Sequence, residues 1–206
     1  MVQGSHQLLL GAPNREVSEI LCNETFQVLL GSEATQELKL YADALIASDF
    51  EEARARLQRL MQSLTVSLRP DCEAQFAVYA VSALTLLPQF KGGAVYVQFR
   101  QTLGGESGKK SKIPDCCIVY PDRRPGSVSG QMCALVIELK YGSSGQSAQK
   151  GMAQIYDRDY MARSRLYVMQ RLGAELPESA ISAVSFSLSQ DMLVTMALPP
   201  KAANST

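Results

Sequence analysis

The chain predicts an α/β domain, a mixed β-sheet flanked by helices, with an N-terminal helical extension. Three observations carry this reading. Apolar residues recur at helical spacing from about residue 14 to 64 and again from about 72 to 87. Strand-like apolar or alternating runs follow at 94–99, 114–120 and 132–140. A further helical stretch then precedes a last strand pair at 183–188 and 192–196, and the order helix, three strands, helix, strand calls for helices layered on a sheet.

The elements follow in order. Pro13 suits a first helical turn, Val17, Ile20, Leu21 and Phe26 give the apolar stripe, and Gly31 ends a helix of about 14–30. Thr35–Ala47 and Asp49–Leu64 form a helical hairpin, the second member striped by Phe50, Ala53, Leu57, Leu60 and Met61 and capped by Ser48 or Asp49. This hairpin is expected to be scaffold, packed on the core or on a partner domain. Asp71 is placed to cap a helix of 72–87 with Phe76, Tyr79, Ala80, Ala83 and Leu84 inward, and Glu73 in its first turn complements the helix dipole. After the strand at 94–99, Gly104–Gly108 marks a turn and Pro121–Gly130 a loop. The helix carrying Gln154 and Tyr160 runs on to Leu172. Residues 1–70 are thus the extension, 71–198 the α/β core and 199–206 a disordered tail.

Charged residues end two of the apolar runs. Lys112-Ile113-Pro114-Asp115 leads into Cys116-Cys117-Ile118-Val119-Tyr120, and Ala134-Leu135-Val136-Ile137 leads into Glu138-Leu139-Lys140. Side chains alternate along a strand, so Glu138 and Lys140 share one face while Leu139 points to the other. Charge at the end of a buried strand is costly unless metal or partners satisfy it. Two carboxylates converging on one point, beside an ammonium, can hold Mg²⁺ and contact a phosphate. Asp115 and Glu138 are therefore expected to lie close enough to share a divalent cation, with Lys140 on the same side. A competing structure, a buried Glu138–Lys140 ion pair in an inert sheet, is disfavoured because neighbours two apart on one strand are poorly placed for two-point pairing.

These residues resemble the PD-(D/E)XK nuclease superfamily, whose pattern is Pro-Asp, a variable gap, then Asp or Glu, an apolar residue and Lys. Pro114-Asp115 and Glu138-Leu139-Lys140 fit it without substitution. Gln154-Ile155-Tyr156-Asp157-Arg158-Asp159-Tyr160 is similar to the Gln-Ile-x-x-Lys-x-Tyr helix of one prokaryotic branch, with Arg158 in place of Lys. In that branch the nuclease domain follows an ATPase-like domain, and Pro13-Asn14-Arg15-Glu16-Val17 fits the phrase at the junction. The hairpin with Ala42-Asp43-Ala44-Leu45 and Asp49-Phe50-Glu51 fits as well, so the resemblance spans about residues 13–198. Two departures stand out. Lys112-Ile113-Pro114 replaces the branch's Gly-Arg, and Gln98 stands where the first core strand often carries an acid.

The resemblance implies a restriction-endonuclease-like sheet and a Mg²⁺-dependent (or Mn²⁺-dependent) nuclease that hydrolyses phosphodiesters of DNA. Asp115, Glu138 and the Leu139 carbonyl would hold the metal, and Lys140 would orient water or offset phosphate charge. Glu73 would face the metal, Gln154 would position water or a phosphate oxygen, and Tyr160 would contact the nucleic-acid backbone. An ATPase-like domain upstream in a longer chain is the implied partner. The alternative is a nuclease-fold module that binds protein or nucleic acid without catalysis.

Composition narrows these choices. With 20 basic and 20 acidic residues the formal net charge is zero, so no global field attracts a polyanion. Contact with DNA must use local patches, for which Lys109, Lys110, Lys112, Arg123 and Arg124 are the candidates. Five cysteines without metal-site spacing fit reduced, structural thiols, and His6 is the sole histidine, which disfavours Cys/His proteolysis. Gly142-Ser143-Ser144-Gly145 lacks the Gly-Lys-Ser/Thr of a nucleotide-binding loop. No apolar run is long enough to span a bilayer, and a cytoplasmic location is expected.

Overall fold

The computed structural model of the chain describes residues 15–81, 84, 94–96, 114–122, 131–142, 147–173 and 175–200. Helix α1 (Arg15–Ile46) is broken at Gly31, whose φ of 83° is a conformation glycine adopts without a Cβ clash, so the two helical segments read from the spacing are both present. In α2 (Phe50–Ser63) the Asp49 carboxylate accepts from the Glu52 amide at 3.1 Å, a cap worth about 1 kcal/mol. Ala53, Leu57, Leu60 and Met61 form its buried stripe, as their spacing predicts. Arg56 joins the two helices by reaching both Glu37 on α1 and Glu52 on α2.

The sheet has the order β1 (Ala94–Tyr96), β2 (Cys116–Pro121), β3 (Met132–Tyr141), β4 (Ile181–Leu188), β5 (Val194–Ala197). All neighbours are antiparallel except β3 and β4, which run parallel. A parallel pair needs a crossover, and α4 (Ser147–Asp157) and α5 (Tyr160–Leu172) supply it. The expected mixed sheet with flanking helices is therefore present.

Alternation divides the strands between two cores. Ile118, Leu135, Ile137, Val184 and Phe186 face α1, α2 and α3 (Glu73–Ala80), while Val119, Ala134, Val136 and Ala183 face α4 and α5. The Tyr41 ring meets Phe186 edge-on at 6.0 Å, and its hydroxyl donates to the Ala80 carbonyl. Gln58 on α2 closes the β5 side with one amide group, donating to the Met192 carbonyl and accepting from the Val194 amide. The α1–α2 hairpin is thus one wall of the sheet's own core.

Several boundaries differ from expectation. The Asp71 side chain is not the cap of α3; Cys72 holds that position, and the Gln75 side chain accepts from the Asp71 amide. The regular helix ends at Ala80, so the expected span to 87 is too long where it is described. The helix expected to run through to Leu172 is two helices. Asp159 adopts a left-handed φ of 53°, which Asp tolerates better than most residues, and a new helix starts at Tyr160. Gln98, Lys109, Lys110, Lys112, Arg123, Arg124, the turn at 104–108 and the tail from 201 lie outside the described residues.

Candidate functional site

The β2–β3 register builds the centre of the site. Cys116 pairs with Ile137, and continuing that antiparallel register by one residue sets Asp115 opposite Glu138. Directly opposed residues on one face have Cβ atoms about 5 Å apart, and like charges so placed repel. The backbone is tied at the same point. The Leu139 amide donates to Asp115 Oδ2 at 2.8 Å, and the Asp115 amide points at Glu138 Oε2 at a long 3.4 Å.

Glu138 is 0% exposed, whereas the Lys140 side chain is partly exposed. Burial, then the facing charge of Asp115, pushes the Glu138 carboxyl up to about 7, while Lys140 pulls it back down. The Lys140 ammonium donates to Glu138 Oε1 at 2.7 Å and to the Leu139 carbonyl at 2.8 Å. Here the structure corrects a sequence expectation: the direct Glu138–Lys140 pair does form. It engages one carboxylate oxygen only, because Nζ divides itself between that oxygen and the main chain.

Helix α4 brings a second donor to the same atom. Gln154 Nε2 donates to Glu138 Oε1 and approaches the Tyr160 hydroxyl at 3.2 Å. On an uninterrupted helix, residues six apart point about 120° away from each other. The break at Asp159 is therefore what lets Tyr160 turn back to Gln154. Arg158 Nη1 donates to the same hydroxyl at 2.8 Å and lies over the ring at 5.9 Å. Tyr160 is fully buried, and in this arrangement its hydroxyl accepts from both Gln154 and Arg158.

Strand β4 supplies residues that the sequence reading missed. Its parallel register puts Ser185 beside Glu138 and Ser187 beside Lys140, and Ser187 shares a hydrogen bond of 2.7 Å with Thr195 on β5. The signal was present in Ser185-Phe186-Ser187, an alternation of polar and apolar residues within a buried run. Glu73 occupies the first turn of α3, whose approach is held near the end of β3 by a Tyr141 hydroxyl that donates toward the Pro70 carbonyl. Among the described residues no three His, Cys, Asp or Glu side chains gather closely enough to hold a metal ion, so Glu73 does not complete a three-carboxylate cluster with Asp115 and Glu138.

The donor set nonetheless suits a hard cation. Two carboxylates and the Leu139 carbonyl are all oxygen, and Mg²⁺ is commonly held by one or two carboxylates with water and phosphate completing its octahedron. The Lys140 ammonium already sits on two of those oxygens, which marks the position as one that attracts positive charge. Cys116 and Cys117 are buried, and burial raises both thiols, Cys117 to about 11, as befits structural residues rather than nucleophiles. A pocket of about 340 Å³ on the α4–α5 side is lined by Tyr156, Asp159, Arg165 and Glu178 among others, but by none of Asp115, Glu138, Lys140 or Gln154. Among the described residues no helix is long and apolar enough to cross a membrane. In comparisons with protein-family models, curated proteins and solved structures, nothing matches the chain.

Proposed function

We propose that the chain is a Mg²⁺-dependent nuclease of the PD-(D/E)XK type that hydrolyses phosphodiester bonds of DNA. One observation carries the reading: Asp115 and Glu138 face each other across β2 and β3 while Lys140 and Gln154 both converge on Glu138 Oε1. An inert sheet has no need for two opposed carboxylates at the end of a buried strand. The element order and the parallel β3–β4 pair with its helical crossover also support the restriction-endonuclease-like form of this sheet.

Each residue has a distinct task under this reading. Asp115, Glu138 and the Leu139 carbonyl hold the cation, which when bound lowers the pKa of a water and offsets charge on the phosphate. Lys140 donates to the attacking water or to a phosphate oxygen, since its ammonium can swing from Glu138 toward a bound anion. Gln154 keeps Glu138 in one rotamer, and Tyr160 with Arg158 keeps Gln154 in place. Lys109, Lys110, Lys112, Arg123 and Arg124 supply the local positive charge that the neutral chain lacks.

Supercoiled plasmid incubated with the purified chain, with and without EDTA, tests the reading. Cleavage that needs Mg²⁺ or Mn²⁺ and disappears in Glu138→Ala is expected. Folded, metal-supplied protein that leaves plasmid and RNA intact points instead to the non-catalytic binding module.

A further inference from the structure

Helix α4 seats on the sheet at a glycine, Gly151, where a Cβ would have no room. Ala148, Gly151, Met152 and Ile155 are its buried positions, and Gly151 sits directly over the row formed by Glu138 and Ser185. A Cβ at position 151 would come within 2.1 Å of Ser185 Oγ, 3.1 Å of Ser185 Cβ and 3.4 Å of Glu138 Cγ. Helix propensity alone favours Ala over Gly, so the absence of a side chain there answers to space. Ser185 is fully buried, and its hydroxyl has no hydrogen-bond partner among the described residues. Its role is accordingly one of size: it is small enough to fit beneath the helix backbone. Gln154 lies three residues beyond Gly151, on the same side of α4. The stand-off at position 151 therefore sets whether Gln154 reaches Glu138.

We infer that Gly151 and Ser185 form a matched pair of positioning residues, which fixes the depth of α4 on the sheet and so holds Gln154 on Glu138. The consequence for metal binding rests on the nuclease reading; the geometric pairing does not. Residues that orient a metal ligand from behind commonly change metal affinity by about 10–100-fold when lost.

The test compares wild type with Gly151→Ala, Ser185→Ala, Gly151→Ala/Ser185→Ala and Gly151→Ala/Ser185→Gly. Two readouts are taken on folded protein: the side-chain amide resonances of Gln154, assigned by their loss in Gln154→Leu, and Mn²⁺ affinity by electron paramagnetic resonance. Gly151→Ala is expected to shift the Gln154 amide and weaken Mn²⁺ binding by roughly tenfold. Ser185→Gly should restore both in that background, Ser185→Ala should restore them in part because its Cβ remains, and Ser185→Ala alone should change neither. An unshifted amide in Gly151→Ala, or no recovery with Ser185→Gly, overturns the pairing. If Gly151→Ala does not fold, recovery of folding and of the Gln154 signal by Ser185→Gly upholds the pairing, and failure of both double variants to fold overturns it. Absence of Mn²⁺ binding in wild type defeats the nuclease reading, while the Gln154 amide still decides the pairing.

Discussion

Asp115 and Glu138 each reach for the other's strand: the amide beside Glu138, that of Leu139, donates to the Asp115 carboxylate at 2.8 Å, and the Asp115 amide points at the Glu138 carboxylate at 3.4 Å. The two acids therefore organise the ends of β2 and β3 as well as facing each other. Substitutions that keep their shape but remove charge, Asp115→Asn and Glu138→Gln, separate the two roles.

Catalysis should depend on the group as a unit. Asp115→Asn, Glu138→Gln and Lys140→Ala are each expected to reduce plasmid cleavage by about 100-fold or more, and a double variant should lose little beyond either single one. Circular dichroism should show all of them folded. Full additivity in the double variants would contradict a shared centre.

Lys140 should oppose metal binding while it aids cleavage. Its ammonium occupies Glu138 Oε1 and the Leu139 carbonyl, two oxygens that a cation would take. Lys140→Met is expected to bind Mg²⁺ about tenfold more tightly by calorimetry, equivalent to about 1.4 kcal/mol of relieved competition, yet to cleave poorly. Weaker Mg²⁺ binding in that variant would mean that Lys140 does not share the cation's ligands.

The raised carboxyl of Glu138 gives a signed pH dependence. Its folded value of about 7 lies above the ordinary glutamate value near 4.3, so between these two the folded chain holds a proton that the unfolded chain has released. This contribution to stability is full below about 4.3 and is lost as pH rises to about 7, with each unit worth about 1.4 kcal/mol. Urea unfolding in EDTA should therefore show wild type losing stability relative to Glu138→Gln across that window, then running parallel above it. Parallel curves throughout would place the Glu138 carboxyl at its ordinary value. Metal requires the ionised form, so Mn²⁺ affinity should rise over the same window.

Tyr160 should act through Gln154. Tyr160→Phe removes the hydroxyl that accepts from Gln154 and Arg158, at a cost of about 1 kcal/mol in stability. Cleavage should fall less than in Gln154→Leu, which also removes the donor to Glu138. Loss of DNA affinity with an unchanged cleavage rate in Tyr160→Phe would instead return Tyr160 to a DNA contact.

Positive charge close to Asp115 in sequence should govern binding more than chemistry. Neutralising Lys109, Lys110 and Lys112 together is expected to weaken DNA binding and to lower the salt slope by about 0.9 per lost phosphate contact. Fluorescence anisotropy across a salt series reads this, and single-turnover cleavage at saturating DNA should change far less than in Glu138→Gln. An unchanged slope would make these lysines solvated loop charge.

The central acids were legible because charge interrupts apolar strand runs at Asp115 and Glu138, and strand alternation then places Lys140 on the face of Glu138. The Asp49 cap and the stripe of α2 were legible because caps and helical spacing are local. The break at Asp159 was not, since it uses neither Gly nor Pro and follows from a left-handed Asp whose cost tertiary packing sustains. Ser185 and Gly151 gain their meaning from the parallel β3–β4 register and from the seating of α4, both of which join distant residues. The Gln58 contact with Met192 and Val194 is hidden for the same reason.

The most direct measurement is Mn²⁺ binding by electron paramagnetic resonance on purified wild type, Asp115→Asn and Glu138→Gln, each checked for folding by circular dichroism. The shared-cation account predicts a site in wild type that either single substitution abolishes. A wild-type chain without a Mn²⁺ site, or one whose site survives both substitutions, would contradict it.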